Sequence, residues 1–249
     1  MVTIKCASDI EKMREAGKIA ANALLVCGEK IRAGMTTKDV DKIIHDEITK
    51  HGAKPSFLGY GGFPGSACVS VNNEVIHGIP SPKRRIQEGD IVSVDVGAFY
   101  KGFHSDTCRT FAVGEISENA KQLLKVTEES LYLGIQAATV HARLGDIGFA
   151  VEQHCRSHGY GVVQNFCGHG IGRELHEDPE VPNHGRAGRG MRLVEGMTIC
   201  IEPMINEKDD GVHILPDGWT VLTDSGLLSA HFEHEILITD NGPVILTQI

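Results

Sequence analysis

The sequence predicts an α+β fold built from two pseudo-symmetric halves. Three observations predict it. The chain reads helix, helix, strands, helix, helix, strands; it aligns on itself without a gap at an offset of 107 residues; and the aligned strands each end in a carboxylate, Asp95 in one half and Glu202 in the other. The offset sets Asp39 against Asp146, His51-Gly52 against His158-Gly159, His77-Gly78 against His184-Gly185 and Glu88-Gly89 against Glu195-Gly196. A pseudo-two-fold relating such halves brings both acidic strands to one central cleft. The whole chain, 1–249, is read as one catalytic domain with halves 1–115 and 116–249.

The first helix is predicted to open at Ser8, with Glu11 completing a capping box, and to bury one stripe through Ile10, Met13, Ala20, Leu24, Cys27 and Ile31. A second follows Thr37, carries Val40, Ile43, Ile44 and Ile48, and stops at Gly52. The second helical pair is expected over 117–139 and 145–158. Strands are predicted at 67–71, 91–97, 107–113, 197–205, 219–223 and 231–239.

A chain of 249 residues, 41% hydrophobic and 23% charged, buries a sizeable core without disulfides or a partner, so a monomer is expected. The formal net charge of −9 argues against a phosphate-binding surface, and so against nucleic acid. Seven cysteines without a Cys-x-x-Cys pair indicate neither a disulfide framework nor a zinc knuckle, and point to a reducing compartment. Asp9, Glu11, Arg14 and Glu15 interrupt any signal-like apolar stretch, and no window approaches the roughly 20 apolar residues of a membrane span. A soluble cytoplasmic protein is the expectation.

Chemistry concentrates in four places. Residues 95–106 are predicted to form a hairpin with Tyr100 and Lys101 at its tip, which sets Asp95 directly opposite Asp106, their Cβ atoms about 5 Å apart. Two such carboxylates repel each other, and a divalent cation between them reverses the sign. Val92, Val94, Val96 and Phe111 mark the strands as buried, where unpaired carboxylates are rarely tolerated. Next, Gly168, Gly170 and Gly172 alternate around His169, stripping away side chains so that backbone and ligand approach closely. The spacing fits neither a dinucleotide fingerprint nor a P-loop. Third, period-two alternation sets Thr198, Cys200 and Glu202 on one face. Finally, His231, Glu233 and Glu235 share a face of the last long strand, and one acid there is expected to face the site. Four carboxylates and one imidazole make an oxygen-rich cage suited to two divalent ions about 3.5–4 Å apart. Fe2+, Mn2+, Co2+ and Zn2+ all tolerate such a set.

The strings Val75-Ile-His-Gly-Ile-Pro80, Val94-Asp-Val-Gly97, His104-Ser-Asp-Thr107, Gly168-His-Gly-Ile-Gly172, Glu202-Pro-Met204 and Phe232-Glu-His234 occur in order along essentially the whole chain. Together they resemble the type I methionine aminopeptidases. The resemblance implies a pita-bread fold, a curved antiparallel sheet flanked by two pairs of helices and carrying two divalent metal ions. It implies removal of the initiator methionine from nascent polypeptide N-termini, near the ribosome, favoured when the second residue is small. By the same resemblance Asp95 chelates one ion, His169 and Glu202 bind the other, and Asp106 and Glu233 bridge. Glu202 would also handle the proton of the attacking water. His176 would bind the scissile carbonyl oxygen, and His77 would contact the substrate beside the scissile amide. The methionine pocket would be lined by Tyr60, Phe63, Cys68, Leu175 and Trp219.

Two residues depart from the family pattern. Leu175 stands where an aromatic is usual. His231 replaces a common glutamine and is expected to hydrogen-bond near the bridging carboxylate and add pH sensitivity. Xaa-Pro aminopeptidases and prolidases share the fold and ligands, but usually carry an additional N-terminal domain, for which a first site strand arriving by residue 95 leaves little room. Non-catalytic homologues that bind peptides usually lose ligands, and none is lost here.

Overall fold

Residues 2–248 are described by a computed structural model. The first half runs α1 (Ala7–Lys30), α2 (Thr37–Lys50), β1 (Lys54–Pro55), β2 (Ala67–Val71), β3 (Glu74–Ile76), β4 (Ile91–Tyr100) and β5 (Phe103–Ala112). The second begins with α3 (Glu118–Ala137), α4 (Leu144–Ser157), β6 (Gly161–Val162), β7 (Gly168–Gly170), β8 (Glu177–Val181) and β9 (Thr198–Ile201). It ends with β10 (Met204–Asn206), β11 (Val212–Ile214), β12 (Val221–Thr223), β13 (Ser229–His231), β14 (Glu233–Leu237) and β15 (Val244–Ile245). Nine strands form one antiparallel sheet along the path β1-β4-β5-β14-β9-β7-β8, with β2 on β4 and β15 on β14. Two three-stranded sheets, β13-β10-β6 and β11-β12-β3, stand beside it.

The internal repeat survives as backbone geometry. Helix α2 and helix α4 occupy residues related by the same offset of 107, as do β1 and β6. The isolated bridges Thr36 to Arg85 and Arg143 to Arg192 are also equivalent under it. Both helix starts use one device, a carboxylate at the third helical position: Asp39 accepts the Thr36 N–H and Asp146 accepts the Arg143 N–H, each at 2.7 Å. Both ends are followed by a left-handed glycine, Gly52 at φ 73° and Gly159 at φ 84°. Helix α1 differs from expectation: it is capped at Cys6, whose thiol donates to Asp9 at 3.2 Å, and Ser8 and Glu11 lie within its first turns without forming a capping box.

Period-two alternation separates a packing face from a chemical face. Val92, Val94 and Val96 pack beneath α1 and α2, while Ile199, Ile201 and Ile236 pack beneath α3 and α4. Each such buried aliphatic contributes roughly 1.5–3 kcal/mol relative to exposure. That burial fixes the register, so Asp95, Cys200, Glu233 and Glu235 are turned to the opposite face. The predicted strand 197–205 is broken at Glu202-Pro203, because Pro203 has no N–H for a ladder. The chain there leaves the large sheet for the small one, stranding Glu202 at the crossing. The predicted strand 231–239 breaks likewise at Phe232, whose ring joins the core beneath α3 and α4. Among the described residues no helix is long and apolar enough to cross a membrane.

Candidate metal centre and substrate cleft

The β4–β5 hairpin turns at Lys101-Gly102, both at positive φ (50° and 85°), and Tyr100 pairs with Phe103. A two-residue turn with glycine second matches the twist of the flanking strands, so the tip lies one residue later than predicted. Asp95 therefore pairs with Cys108 and Asp106 with Gly97, placing the two acids on a diagonal instead of directly opposite. Moving the turn by one residue shifts the pairing by two, which leaves both acids on the same face.

His169 sits at the centre of β7, between β8 and β9. The flanking glycines serve neighbouring backbone and not a ligand: a Cβ on Gly168 would lie 2.2 Å from the Cys200 carbonyl oxygen, and one on Gly170 2.2 Å from that of Asp178. The His169 Nδ1–H donates to the Gly170 carbonyl at 2.9 Å. That bond fixes the tautomer and leaves the Nε2 lone pair free, 3.6 Å from Glu202 Oε1 and 3.8 Å from Asp106 Oδ2. Glu233 completes the set from β14, opposite Cys108 across the junction of the two halves.

These donors are placed as if for cations. Asp95 Oδ1, Asp106 Oδ1 and Glu233 Oε1 are buried without a hydrogen-bond partner. The ligand atoms of Asp95, Asp106 and Glu233 lie within 4.8 Å of one another, and so do those of His169, Cys200 and Glu233. Burial pushes the carboxyls of Asp95, Asp106, Glu202 and Glu233 upward, and neighbouring carboxylates push Asp106, Glu202 and Glu233 further. Burial lowers the His169 imidazole to about 3. Acids that resist ionisation beside an imidazole that resists protonation lack the same thing, a buried positive charge that carries no proton. Divalent ions supply it, and oxygen-rich donors with one neutral imidazole fit them.

Above this floor opens a cleft of about 210 Å3. All five metal-ligand candidates line it, together with His77, His176, Tyr60, Phe63, Cys68, Leu175 and Trp219. Phe63 meets Trp219 edge-on at 5.2 Å between centroids, and His77 lies 6.1 Å from both Trp219 and Phe166. His77 itself is held at φ 58°, a left-handed conformation that costs a non-glycine residue energy and is commonest at functional sites. At the mouth Tyr60 Oη is 2.8 Å from His176 Nδ1, and the His176 ring stands edge-on to that of His169 at 4.2 Å. Phe57, Ile76, Phe166 and Cys167 also line the cleft and were not singled out in the sequence. Two of the four adjoin a residue that was: Ile76 precedes His77, and Cys167 precedes Gly168.

His231 belongs to β13, not to the strand of Glu233. Its Nε2 has no hydrogen-bond partner and lies 3.7 Å from Glu202 Oε2, so it adjoins Glu202 and not the predicted bridging acid. Burial lowers its imidazole to about 3, which opposes the protonation that the expected pH sensitivity would need. Glu235 is fully buried opposite Cys200, with neither carboxylate oxygen partnered.

The model of metallopeptidase family M24 matches residues 11–240. A methionine aminopeptidase of Clostridium perfringens is 52% identical over 249 residues, covering 100% of both chains. The crystal structure of a methionine aminopeptidase from Thermotoga maritima superposes with a TM-score of 0.98 at 47% identity, again covering 100% of both chains. A prolidase from Pyrococcus furiosus shares the architecture at a TM-score of 0.81 and 27% identity; the match covers 99% of this chain but 65% of that one. Orphaned acids on a shared sheet, their pseudo-two-fold arrangement and these full-length likenesses agree, and the chain belongs to metallopeptidase family M24.

Proposed function

We propose that this chain is a methionine aminopeptidase that removes the initiator methionine from nascent polypeptides with two divalent metal ions. The observation that carries the reading is a single cleft that joins acids with buried, unpartnered oxygens to an apolar and aromatic lining. Full-length likeness to proteins named methionine aminopeptidase supports the substrate. The Xaa-Pro alternative is not favoured, since the prolidase is 27% identical where the methionine aminopeptidase is 52% identical.

In this reading Asp95 would help to hold one ion, His169 and Glu202 the other, and Asp106 and Glu233 would be shared between them. When bound, such a pair supplies Lewis acidity and lowers the pKa of water. Glu202, whose carboxyl is pushed upward by burial and by the neighbouring Asp106 and Asp95 carboxylates, would be held ionised beside the ions and would take the proton of the attacking water. Tyr60 donates its hydroxyl proton to His176 Nδ1, which leaves Nε2–H to donate to the scissile carbonyl oxygen as charge develops there. His77, lowered by burial to about 4, is neutral and hydrogen-bonds beside the scissile amide. Phe63, Cys68, Leu175 and Trp219 receive the flexible thioether. The enzyme works as a cytoplasmic monomer on chains emerging near the ribosome, preferring a small second residue.

Apoprotein reconstituted with Mn2+, Co2+ or Fe2+ is expected to cleave Met-Ala-Ser and leave Xaa-Pro peptides intact. Faster cleavage of Xaa-Pro peptides would transfer the chain to the prolidase reading. Inactivity with every ion would favour a binding protein.

A further inference from the structure

Two residues of the sheet's chemical face, Cys200 and Glu235, have no part in the reading above. Cys200 lies on β9 two residues before Glu202, fully buried, opposite Glu235 on β14. Its sulfur, a ring nitrogen of His169 and a carboxylate oxygen of Glu233 lie within 4.8 Å of one another. This trio shares Glu233 with the trio of Asp95 and Asp106. Glu233 Oε1 in this trio's residues and Asp106 Oδ1 beside them are buried without a hydrogen-bond partner. The His169 ring, tied at Nδ1 to Gly170, offers its other nitrogen to the same space.

Reach does not disqualify a cysteine there. A metal–sulfur bond of about 2.3 Å is longer than a metal–oxygen bond of about 2.0–2.2 Å, which offsets much of the difference between a thiol and an aspartate side chain. Two donors that distinguish borderline ions from hard ones, an imidazole nitrogen and a sulfur, would then meet on one side of the centre. The other trio, Asp95 and Asp106 with Glu233, has only oxygens.

We propose that Cys200 is a further ligand of the ion at His169, bound as thiolate, and that it makes this half of the centre a soft-donor subsite selective for Zn2+, Co2+ or Fe2+ over Mn2+. The inference rests on the dinuclear reading above. On binding, the S–H bond breaks, the proton passes to solvent and a sulfur–metal bond forms, with no change in oxidation state. Selectivity follows because thiolate gains far more from a borderline ion than from Mn2+.

The test uses full-length protein loaded anaerobically with Co2+. Wild-type protein is expected to show thiolate-to-cobalt charge-transfer absorption in the near ultraviolet. The band should vanish in Cys200→Ser and Cys200→Ala and persist in Cys68→Ser, Cys108→Ser and Cys167→Ser, which remove the other thiols near the cleft. X-ray absorption on the Zn2+-loaded wild type, which needs no variant, should show one sulfur neighbour at about 2.3 Å. In competition, the preference for Zn2+ over Mn2+ should fall by about tenfold or more in Cys200→Ser. A cobalt-loaded wild type without the band or the sulfur neighbour overturns the proposal, leaving Cys200 as a hydrogen-bond donor to Glu233. A band that survives in Cys200→Ser overturns it too. Asp106→Asn separates the two readings. If that variant loses Co2+ while the wild type lacks the band, only the Cys200 assignment fails; if it binds Co2+ undiminished, the dinuclear centre itself fails.

Discussion

Asp106 is 4% exposed, one of its oxygens has no hydrogen-bond partner, and Glu233 and Asp95 both press charge upon it. In a metal-free protein such a residue only destabilises, so Asp106→Asn should act in opposite directions on two measurements. Bound metal and peptide cleavage should fall together, each by at least about 100-fold, since even residues behind the ligands cost 10–100-fold. The melting temperature in EDTA should rise, because a neutral amide replaces a buried like charge. Retained turnover with full metal content would contradict the bridging role. His231 makes a contrasting case. Burial lowers its ring to about 3, so His231→Gln should leave the acid limb of the pH–rate profile in place. A displaced limb would show that the ring titrates in the working range after all.

The elements show why some of this was legible and some was not. Asp95 and Asp106 could be assigned to one face without the correct turn, since any shift of the hairpin tip preserves parity. Their diagonal placement could not, because it depends on Lys101 accepting φ 50° ahead of Gly102. Strand β7 escaped the sequence reading because Gly168-His169-Gly170 has no β-branched residue to signal a strand. Its glycines were noticed, but for the wrong partner. They are required by strands on both sides, and Gly170→Ala tests this: a Cβ 2.2 Å from the Asp178 carbonyl oxygen should cost about 1–3 kcal/mol. For a chain of this size that lowers the melting temperature by roughly 2–4 °C per kcal/mol. Metal affinity should weaken with it, because the same strand aims His169. Thermal melts with and without added Co2+ would separate the two effects; an unchanged melt would mean the glycine is dispensable to the sheet.

At the scale of the whole molecule, the pseudo-two-fold gathers acids from both halves onto one sheet, and the cost of that gathering depends on pH. In the metal-free protein, Asp95, Asp106, Glu202, Glu233 and Glu235 are all raised by burial, Asp95 to about 7 and the others well above their ordinary values. A folded state that holds protons more tightly than the unfolded one loses stability as pH rises between the two pKa values. The buried histidines act in the opposite sense: His77, His169 and His231 are lowered from 6.5 to between about 3 and 4, so they favour the folded state as pH rises toward 6.5. The two trends oppose each other between pH 4 and 6.5. Above about pH 7 the imidazoles are neutral in both states and only the acids remain. Metal-free protein should therefore melt at progressively lower temperature as pH rises past about 7, and the metal-loaded protein should not, because the bound ions hold the same carboxylates ionised. Parallel calorimetric scans of the two forms measure the difference directly. Parallel slopes above pH 7 would mean that the acids of the cleft are already compensated without metal, and the reading of the junction of the halves as a cation site would lose its physical basis.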